Sequence, residues 1–152
     1  MNYTLEIELN QPRARVVELF DDADNLGAWQ PGYLGMKHVG GEEGKAGAQY
    51  ELRYLHGKRE IPMLETIEVH NLPDEFSAVY DAKGMKMKVT NKFEEVGEGK
   101  TRMIVESEAE VSGILMKLIA LIMPGCFKKQ SWKYMENFKA FVEEGKDLRK
   151  EK

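Results

Sequence analysis

The sequence predicts an α+β fold, in which a curved antiparallel sheet of about seven strands wraps around one long C-terminal helix. One observation is the spacing of Ser131, Tyr134 and Phe138, which are three and four residues apart and therefore share one stripe of a helix. The other is the alternation of apolar and polar side chains with a period of two over residues 33–111. Since a long amphipathic helix must cover its apolar stripe, we expect it to lie on the sheet.

The chain begins with a predicted strand followed by two predicted helices. Alternating apolar residues indicate a half-buried strand over residues 3–9. Pro12 favours the first turn of a helix, which we place at residues 12–20. The acidic residues that follow offer caps for a second, short helix that carries Trp29 and ends at Pro31-Gly32.

Six further strands follow, and short turns separate them. Consecutive strands joined by short turns pair antiparallel, so the predicted order of elements is β-α-α-β6-α. Lysine and glutamate alternate with apolar residues in the last two strands, which is typical of a sheet with one face in water. The predicted strands are residues 33–39, 48–55, 61–69, 75–81, 85–95 and 101–111.

The most apolar run, residues 114–123, lies between the last strand and the long helix. It spans about 10 residues, whereas a membrane-spanning helix needs ~20, so we predict no integral membrane segment. Pro124-Gly125 follows it, and proline removes a helical hydrogen bond and disfavours helix at the residue before it. We therefore expect a break there, with residues 114–122 forming a separate turn or helix and residues 126–144 forming the long helix.

Length and composition predict a globular chain that does not bind nucleic acid. The chain has 152 residues, of which 42% are hydrophobic and 32% charged, and its net charge is -4 with acids and bases interleaved. We expect a single domain over residues 1–145 and a frayed tail over residues 146–152. The N-terminus has no basic start or apolar signal region. The single cysteine, Cys126, excludes an internal disulfide framework and suits a reducing compartment, so we expect a cytoplasmic protein.

Five local motifs occur in a recognisable order along the chain. Asn10-Gln11-Pro12 precedes the first helix, and Trp29-Gln30-Pro31 forms a Trp-x-Pro corner after the second. A glycine turn at residues 44–47 precedes a strand. A strand and a proline turn follow at residues 65–76, and residues 100–103 complete the last hairpin.

In this order the motifs resemble the START-like superfamily, also called Bet v 1-like, SRPBCC or helix-grip, and within it the polyketide cyclase/dehydrase-like branch. The resemblance covers about residues 3–145. It implies the helix-grip fold and a cavity between the concave sheet and the long helix. It does not imply one reaction, because the superfamily includes lipid carriers, plant hormone receptors, aromatase/cyclases and co-chaperone-like proteins.

The predicted cavity has a lining of apolar, tyrosine and methionine side chains from the inward register of the strands and from the long helix. Methionine adapts to varied partners, which suits a pocket for a hydrophobic small molecule such as a lipid, sterol-like or polyketide-like compound. Core filling by the same side chains is the alternative interpretation. The predicted ligand-binding residues are Tyr50, Leu52, Tyr54, Met63, Glu65, Ile67, Tyr80, Met87, Val89, Asn91, Met103, Val105, Leu118, Ile122, Phe127, Tyr134 and Phe138.

Glu65 is the candidate catalytic residue. It shares the register of Met63 and Ile67, so its carboxyl group is expected to face inward. A buried carboxyl has a raised pKa and can act as an acid or a base. Alternatively, it hydrogen-bonds its neighbours or a trapped water, since buried polar groups need partners.

No metal, cofactor or nucleophile motif is predicted. His38, His56 and His70 occur in or beside separate turns and strands, without a His-x-x-x-His pair. Cys126 has no histidine near it in sequence and is interpreted as a small hydrophobic side chain. The glycine turn at residues 40–47 lacks the Gly-Lys-Ser/Thr ending of a phosphate loop.

Three function classes remain open at this stage. The first is binding of a hydrophobic small molecule. The second is a cyclase/dehydratase-type enzyme acting on such a molecule, with Glu65 or a tyrosine moving protons. The third is a protein-interaction module that uses a partly exposed segment at residues 114–123, and homodimer formation is also left open.

Overall fold

The computed structural model describes residues 2–123 and 125–150. Its strands form one seven-stranded antiparallel sheet in the order β1-β7-β6-β5-β4-β3-β2. The curved α+β architecture predicted above is therefore confirmed. The strands are β1 (Asn2–Leu9), β2 (Tyr33–Gly40), β3 (Gln49–His56), β4 (Arg59–Asn71), β5 (Glu75–Ala82), β6 (Met85–Gly97) and β7 (Lys100–Val111).

The described helices lie at the start and the end of the chain, as the sequence predicts. They are α1 (Arg13–Asp21), α2 (Leu26–Trp29), α3 (Ile114–Ile122) and α4 (Cys126–Glu144), with short 3-10 turns at Ala23–Asn25 and Leu148–Lys150. Because β1 pairs with β7 and β2 lies at the opposite edge, α1 and α2 connect the two edges of the sheet.

The helical break expected near Pro124-Gly125 is present. α3 ends at Ile122, Met123 leaves the helical conformation with φ -125° and ψ 64°, and α4 begins at Cys126. Pro124 itself lies outside the described residues. α4 ends at Gly145, whose φ of 68° is a left-handed conformation that glycine adopts without steric cost.

The outer face of the sheet carries the predicted lysine and glutamate alternation. Lys88 Nζ lies 3.1 Å from Glu68 Oε1, and Lys92 Nζ lies 3.0 Å from Glu106 Oε1. These side chains are substantially exposed, so each pair contributes only ~0–1 kcal/mol. This face is therefore a solvated surface.

The aromatic core fills one end of the inner face, between α1, α2, the second half of α4 and strands β1, β6 and β7. The ring of Phe20 lies 5.0 Å from Phe93, 5.9 Å from Phe138 and 6.2 Å from Trp29, measured between centroids. Such contacts stabilise the core beyond the burial of area alone. Three predicted ligand-binding residues belong to this core, namely Met103, Val105 and Phe138.

The C-terminal segment differs from the frayed tail predicted for residues 146–152. Asp147 is buried, and its carboxylate accepts hydrogen bonds from Arg149 Nε at 2.9 Å and Nη2 at 2.7 Å. Arg149 Nη1 also donates to the carbonyl oxygen of Asp24 at 2.9 Å. This bidentate ion pair lowers the pKa of Asp147 to about 2 and orients Arg149, whose hydrogen bond to Asp24 attaches the segment beside α2. Residues 151–152 lie outside the described residues.

Candidate functional site

A buried carboxyl group lies on the inner face of strands β3, β4 and β5. Glu65 of β4 is directly opposite Tyr50 of β3 and Tyr80 of β5. The side chain of Glu65 faces inward, as its register predicts, and the residue is 9% exposed. The period of two in β4 therefore places a carboxyl group between Met63 and Ile67 on the concave side.

Tyr80 is the hydrogen-bond partner of Glu65. Its hydroxyl donates to the Glu65 carboxylate. Burial raises the pKa of Glu65, and the hydrogen bond from Tyr80 offsets part of this rise. Among the described residues, no lysine, arginine or histidine forms an ion pair with Glu65, so no cation neutralises its ionised form.

Two further tyrosines approach the same carboxyl group. Tyr54 donates a hydrogen bond to Gln30 Oε1 at 2.7 Å, which joins β3 to the end of α2. Burial raises the pKa of Tyr54, and the nearby Tyr134 and Glu65 oxygens raise it further. Burial also raises the pKa of Tyr134 on α4, whose hydroxyl lies near those of Tyr54 and Tyr80. We call Tyr54, Glu65, Tyr80 and Tyr134 the polar cluster.

The surroundings of the polar cluster are apolar. Leu52 and Ile67 are buried, while Met63 and Met87 are half-buried. Met87 is directly opposite Tyr80, and Met63 is directly opposite Leu52. An apolar surface with a few convergent polar groups is the usual composition of a small-molecule site.

Tyr50 has a different role, although it lies on the same face. Its hydroxyl accepts a hydrogen bond from the backbone N–H of Gly44 at 2.8 Å, and its ring lies 5.3 Å from that of His38. The hydroxyl therefore holds the glycine turn in place. Of the predicted ligand-binding tyrosines, Tyr50 is the one that the structure assigns to the support of a turn.

Three buried polar atoms have no hydrogen-bond partner in the described part of the chain. They are Trp29 Nε1, Ser107 Oγ and Asn137 Nδ2. Asn91 makes only a long contact, from Nδ2 to the carbonyl oxygen of Phe76 at 3.4 Å. Buried donors of this kind normally find a partner, and a ligand oxygen or an ordered water is suitable.

Sequence reasoning missed Gln30, Trp29 and Asn137 as polar groups near the site. Trp29 looks like a core residue, and its ring is indeed 6.3 Å from that of Tyr134. Asn137 follows Tyr134 by three residues, which is the spacing of neighbours on one helical face. That spacing was a usable signal, whereas the contact between Gln30 and Tyr54 needed the packing of α2 against β3.

Leu118 and Ile122 were predicted to line the cavity, and the structure corrects this. They are 49% and 68% exposed, because α3 turns other residues, including Met116, toward the protein. Met116 lies against Gly84, where a Cβ would be 2.7 Å from Met116 Cγ. Lys117 is the single polar residue of α3, and it lies three residues after Ile114 and four before Leu121, which was the available signal for the solvent side. Phe127 of α4, in contrast, is buried as predicted.

The histidines and acidic residues do not form a metal site within residues 2–123 and 125–150. No group of three or more His, Cys, Asp and Glu side chains is arranged to hold an ion there. His70 Nε2 instead lies 2.9 Å from Asp21 Oδ1, and His38 Nε2 lies 2.9 Å from the carbonyl oxygen of Gly41.

None of the described helices is long and apolar enough to cross a membrane.

Several solved structures have the same fold at low sequence identity. A conserved protein from Geobacillus kaustophilus superposes with a TM-score of 0.79 at 15% identity, over 93% of this chain and 95% of that chain. The Zhui aromatase/cyclase from Streptomyces sp. R1128 has a TM-score of 0.76 at 8% identity, over 93% of each chain. A START superfamily protein from Mycobacterium smegmatis has a TM-score of 0.70 at 12% identity, over 89% of this chain and 94% of that chain.

The sequence matches a family model, although it matches no individual curated sequence. No curated protein sequence matches this chain significantly. A family model described as polyketide cyclase / dehydrase and lipid transport matches residues 2–143. The chain therefore belongs to the polyketide cyclase/dehydrase and lipid transport family, within the START-like, Bet v 1-like superfamily that its motifs resemble.

Proposed function

We propose that the protein binds a hydrophobic small molecule that carries a hydroxyl or carbonyl group, at the polar cluster between the sheet and α4. The family and its structural neighbours support a ligand-binding or polyketide cyclase-type protein. The observation that carries the finer proposal is Glu65, a buried carboxyl group without a cationic partner among the described residues, surrounded by apolar side chains. A fold that needed only a core would gain stability from an apolar residue there.

The apolar surface supplies most of the binding free energy. Burial of ligand surface against Leu52, Met63 and Met87 contributes ~25 cal/mol per Å². Methionine side chains adjust their shape, so the site suits a flat or a long ligand. A lipid, a sterol-like compound and a polyketide-like compound all satisfy this description.

The polar cluster orients the ligand. Glu65 accepts a hydrogen bond from a ligand hydroxyl when it is ionised and donates one to a carbonyl oxygen when it is protonated. Its raised pKa brings the protonated form closer to neutral pH. Tyr80 and Tyr54 keep their phenolic protons at neutral pH, because burial raises their pKa values.

The first test is ligand capture. Native mass spectrometry of the purified protein with fatty acids, sterols and aromatic polyketides should give a one-to-one complex with one of these classes. Tyr80→Phe should then weaken binding about tenfold, as expected for one lost hydrogen bond of ~1–1.5 kcal/mol. Tyr50→Phe is the matched control and should keep full affinity, because its hydroxyl already bonds Gly44.

Two results would contradict the binding proposal. One is the absence of a complex with every class in the panel. The other is an equal loss of affinity in Tyr80→Phe and Tyr50→Phe, which would locate the effect in the fold rather than in the polar cluster.

A second candidate function is proton transfer in a cyclase/dehydratase-type reaction, favoured by the Glu65–Tyr80 hydrogen bond. Glu65 would remove a proton from the carbon beside a ligand carbonyl, and the electron pair of that C–H bond would move to the carbonyl oxygen. Once protonated, Glu65 would no longer need the hydrogen bond from Tyr80, whose hydroxyl would then donate to the oxygen that becomes negative. Glu65→Gln should then abolish turnover while ligand affinity stays within a few fold. Equal turnover in both proteins excludes this role and leaves the binding function.

We also propose that the protein works in the cytoplasm. The free thiol of Cys126, half-buried at the start of α4, supports a reducing compartment.

A further inference from the structure

The outward side of α3 is a continuous apolar surface that neither the core nor the polar cluster uses. The exposed fractions of Ile114, Leu115 and Leu121 are 89%, 70% and 79%. Ile122 extends the surface toward Met123 at the end of the helix. An exposed apolar patch of this kind usually marks an interaction site. We call the outward side chains of Ile114, Leu115, Leu118, Leu121 and Ile122 the α3 surface.

The chain around the α3 surface is basic, although the protein as a whole is acidic. Residues 111–135 contain four lysines and no Asp or Glu, in a chain with 26 acidic and 22 basic residues. Lys117 is on α3, and Lys128, Lys129 and Lys133 are exposed on the first half of α4. The apolar surface is therefore accompanied by an excess of positive charge, since Glu136 is the one acidic residue that lines the groove with Lys128, Lys129 and Lys133, and this excess is complementary to an anionic partner.

Two of these lysines do not stabilise the helix that carries them. Lys128 and Lys129 lie near the N-terminus of α4, where the helix dipole is positive and disfavours cations. The first turn of α4 has no acidic residue, and Gly125 provides no side-chain cap. A negatively charged surface would relieve this repulsion.

Trp132 lies beside the same lysines. It is 38% exposed and borders a shallow groove together with Gly125, Lys128 and Lys129. Tryptophan combines an apolar ring with one polar N–H and is enriched where a bilayer meets water. Trp132, next to the lysines, is therefore suitably placed to lie among lipid headgroups at a membrane surface.

We propose that α3 docks the protein on an anionic lipid bilayer. The α3 surface enters the boundary between headgroups and acyl chains, the four lysines contact lipid phosphates, and Trp132 lies at the interface. α3 has nine residues, so it lies in the plane of the membrane surface and does not span it. A second copy of the chain fits less well, because a two-fold contact through α3 would bring lysines against lysines.

Docking of α3 on a bilayer does not require a ligand at the polar cluster. The vesicle experiment therefore tests the membrane proposal independently of the proposed function. The complete chain is mixed with vesicles of phosphatidylcholine alone or with phosphatidylglycerol added, and bound protein is measured by flotation. We expect binding to the anionic vesicles and little to the neutral ones. Binding should fall as salt rises from ~0.1 M to ~1 M, since the Debye length shortens from ~10 Å to ~3 Å.

Two pairs of variants separate the apolar and the charged contributions. Leu115→Ser/Leu121→Ser should lower partitioning at least tenfold, whereas the control Leu34→Ser/Leu55→Ser, which changes exposed leucines on β2 and β3, should not. Lys128→Glu/Lys129→Glu should lower partitioning by roughly fivefold or more per lysine. Lys58→Glu, in the exposed turn between β3 and β4, is its control and should leave partitioning unchanged.

Three outcomes would overturn the proposal. They are equal binding to neutral and anionic vesicles, equal loss of binding in the control variants, and no vesicle binding at all. In the last case, light scattering measures the oligomeric state of the protein and of Leu115→Ser/Leu121→Ser. A dimer that the double substitution dissociates would assign the α3 surface to a contact with a second copy of the chain.

Discussion

α3 and α4 follow one another along the chain, and the more apolar of the two is the more exposed. α3 has one charged residue, Lys117, yet none of its residues is fully buried. α4 is rich in lysine and glutamate, yet it buries Phe127, Met135, Phe138 and Val142. Burial thus follows the arrangement of apolar residues rather than their number. α4 has one apolar stripe that matches the concave sheet, whereas every residue of α3 except Lys117 is apolar and only one side of the helix can be covered.

Polar contacts add to the difference between the two helices. The hydroxyl of Tyr3 lies 2.7 Å from Ser131 Oγ, and the Glu143 carboxylate accepts a hydrogen bond from the backbone N–H of Asn10 at 2.8 Å. These contacts attach both halves of α4 to the start of the chain. α3 is attached near its beginning, where the Ser112 N–H donates to the carbonyl oxygen of Gly84 at 2.8 Å.

Phe138→Ala should give the largest effect on stability. Phe138 is fully buried and contacts the rings of Phe20 and Trp29. Loss of its side chain should lower the free energy of unfolding by ~3–5 kcal/mol, measured by urea denaturation. A loss below ~1 kcal/mol would mean that α4 is not the principal core helix.

Glu65→Gln, on the concave face of the sheet that α4 covers, should change the free energy of unfolding in a pH-dependent way. Because burial raises the pKa of Glu65, its contribution to stability is fully present below pH 4.5 and is lost as pH rises through the folded-state pKa. The variant lacks this loss, so it should melt at a higher temperature than the natural protein near neutral pH. The difference should shrink toward pH 4, and thermal melts across this range check it. A constant difference at all pH values would contradict the burial of an ionisable carboxyl group.

Leu121→Ala should give the smallest effect, although it removes a large apolar side chain. Leu121 is exposed, and surface substitutions usually change the free energy of unfolding by less than ~0.5 kcal/mol. Urea denaturation in parallel with Phe138→Ala makes the comparison between α3 and α4 direct. A cost above ~1.5 kcal/mol would show that α3 packs against the protein in solution.

Regular periodicity explains why much of the fold could be predicted. A period of two set the inward register of Glu65 and Asn91, and both are buried in the structure. The spacing of Ser131, Tyr134 and Phe138 predicted α4, and Pro124-Gly125 predicted the break before it. Each of these signals depends on neighbours in the sequence, and local sterics act on those neighbours directly.

Contacts between distant elements account for the parts that could not be predicted. The hydrogen bond between Tyr80 and Glu65 depends on the register of β4 against β5. The hydrogen bond between Tyr54 and Gln30 depends on where α2 packs. The attachment of the C-terminal segment depends on Arg149 reaching Asp24, which is far away in the sequence. A run of charged residues at the terminus gives no indication of such a contact.

The sequence by itself determined the order of strands and helices, the inward register of Glu65 and the break between α3 and α4, because each follows from local spacing and backbone sterics. Only the tertiary structure decided that the aromatic core is filled and that the polar cluster borders it, because Tyr134 packs against Trp29. It also decided that the α3 surface faces solvent. The physical reason is that every residue of α3 except Lys117 is apolar, so more than one side of the helix could be buried and its packing against the protein selects the side that is covered.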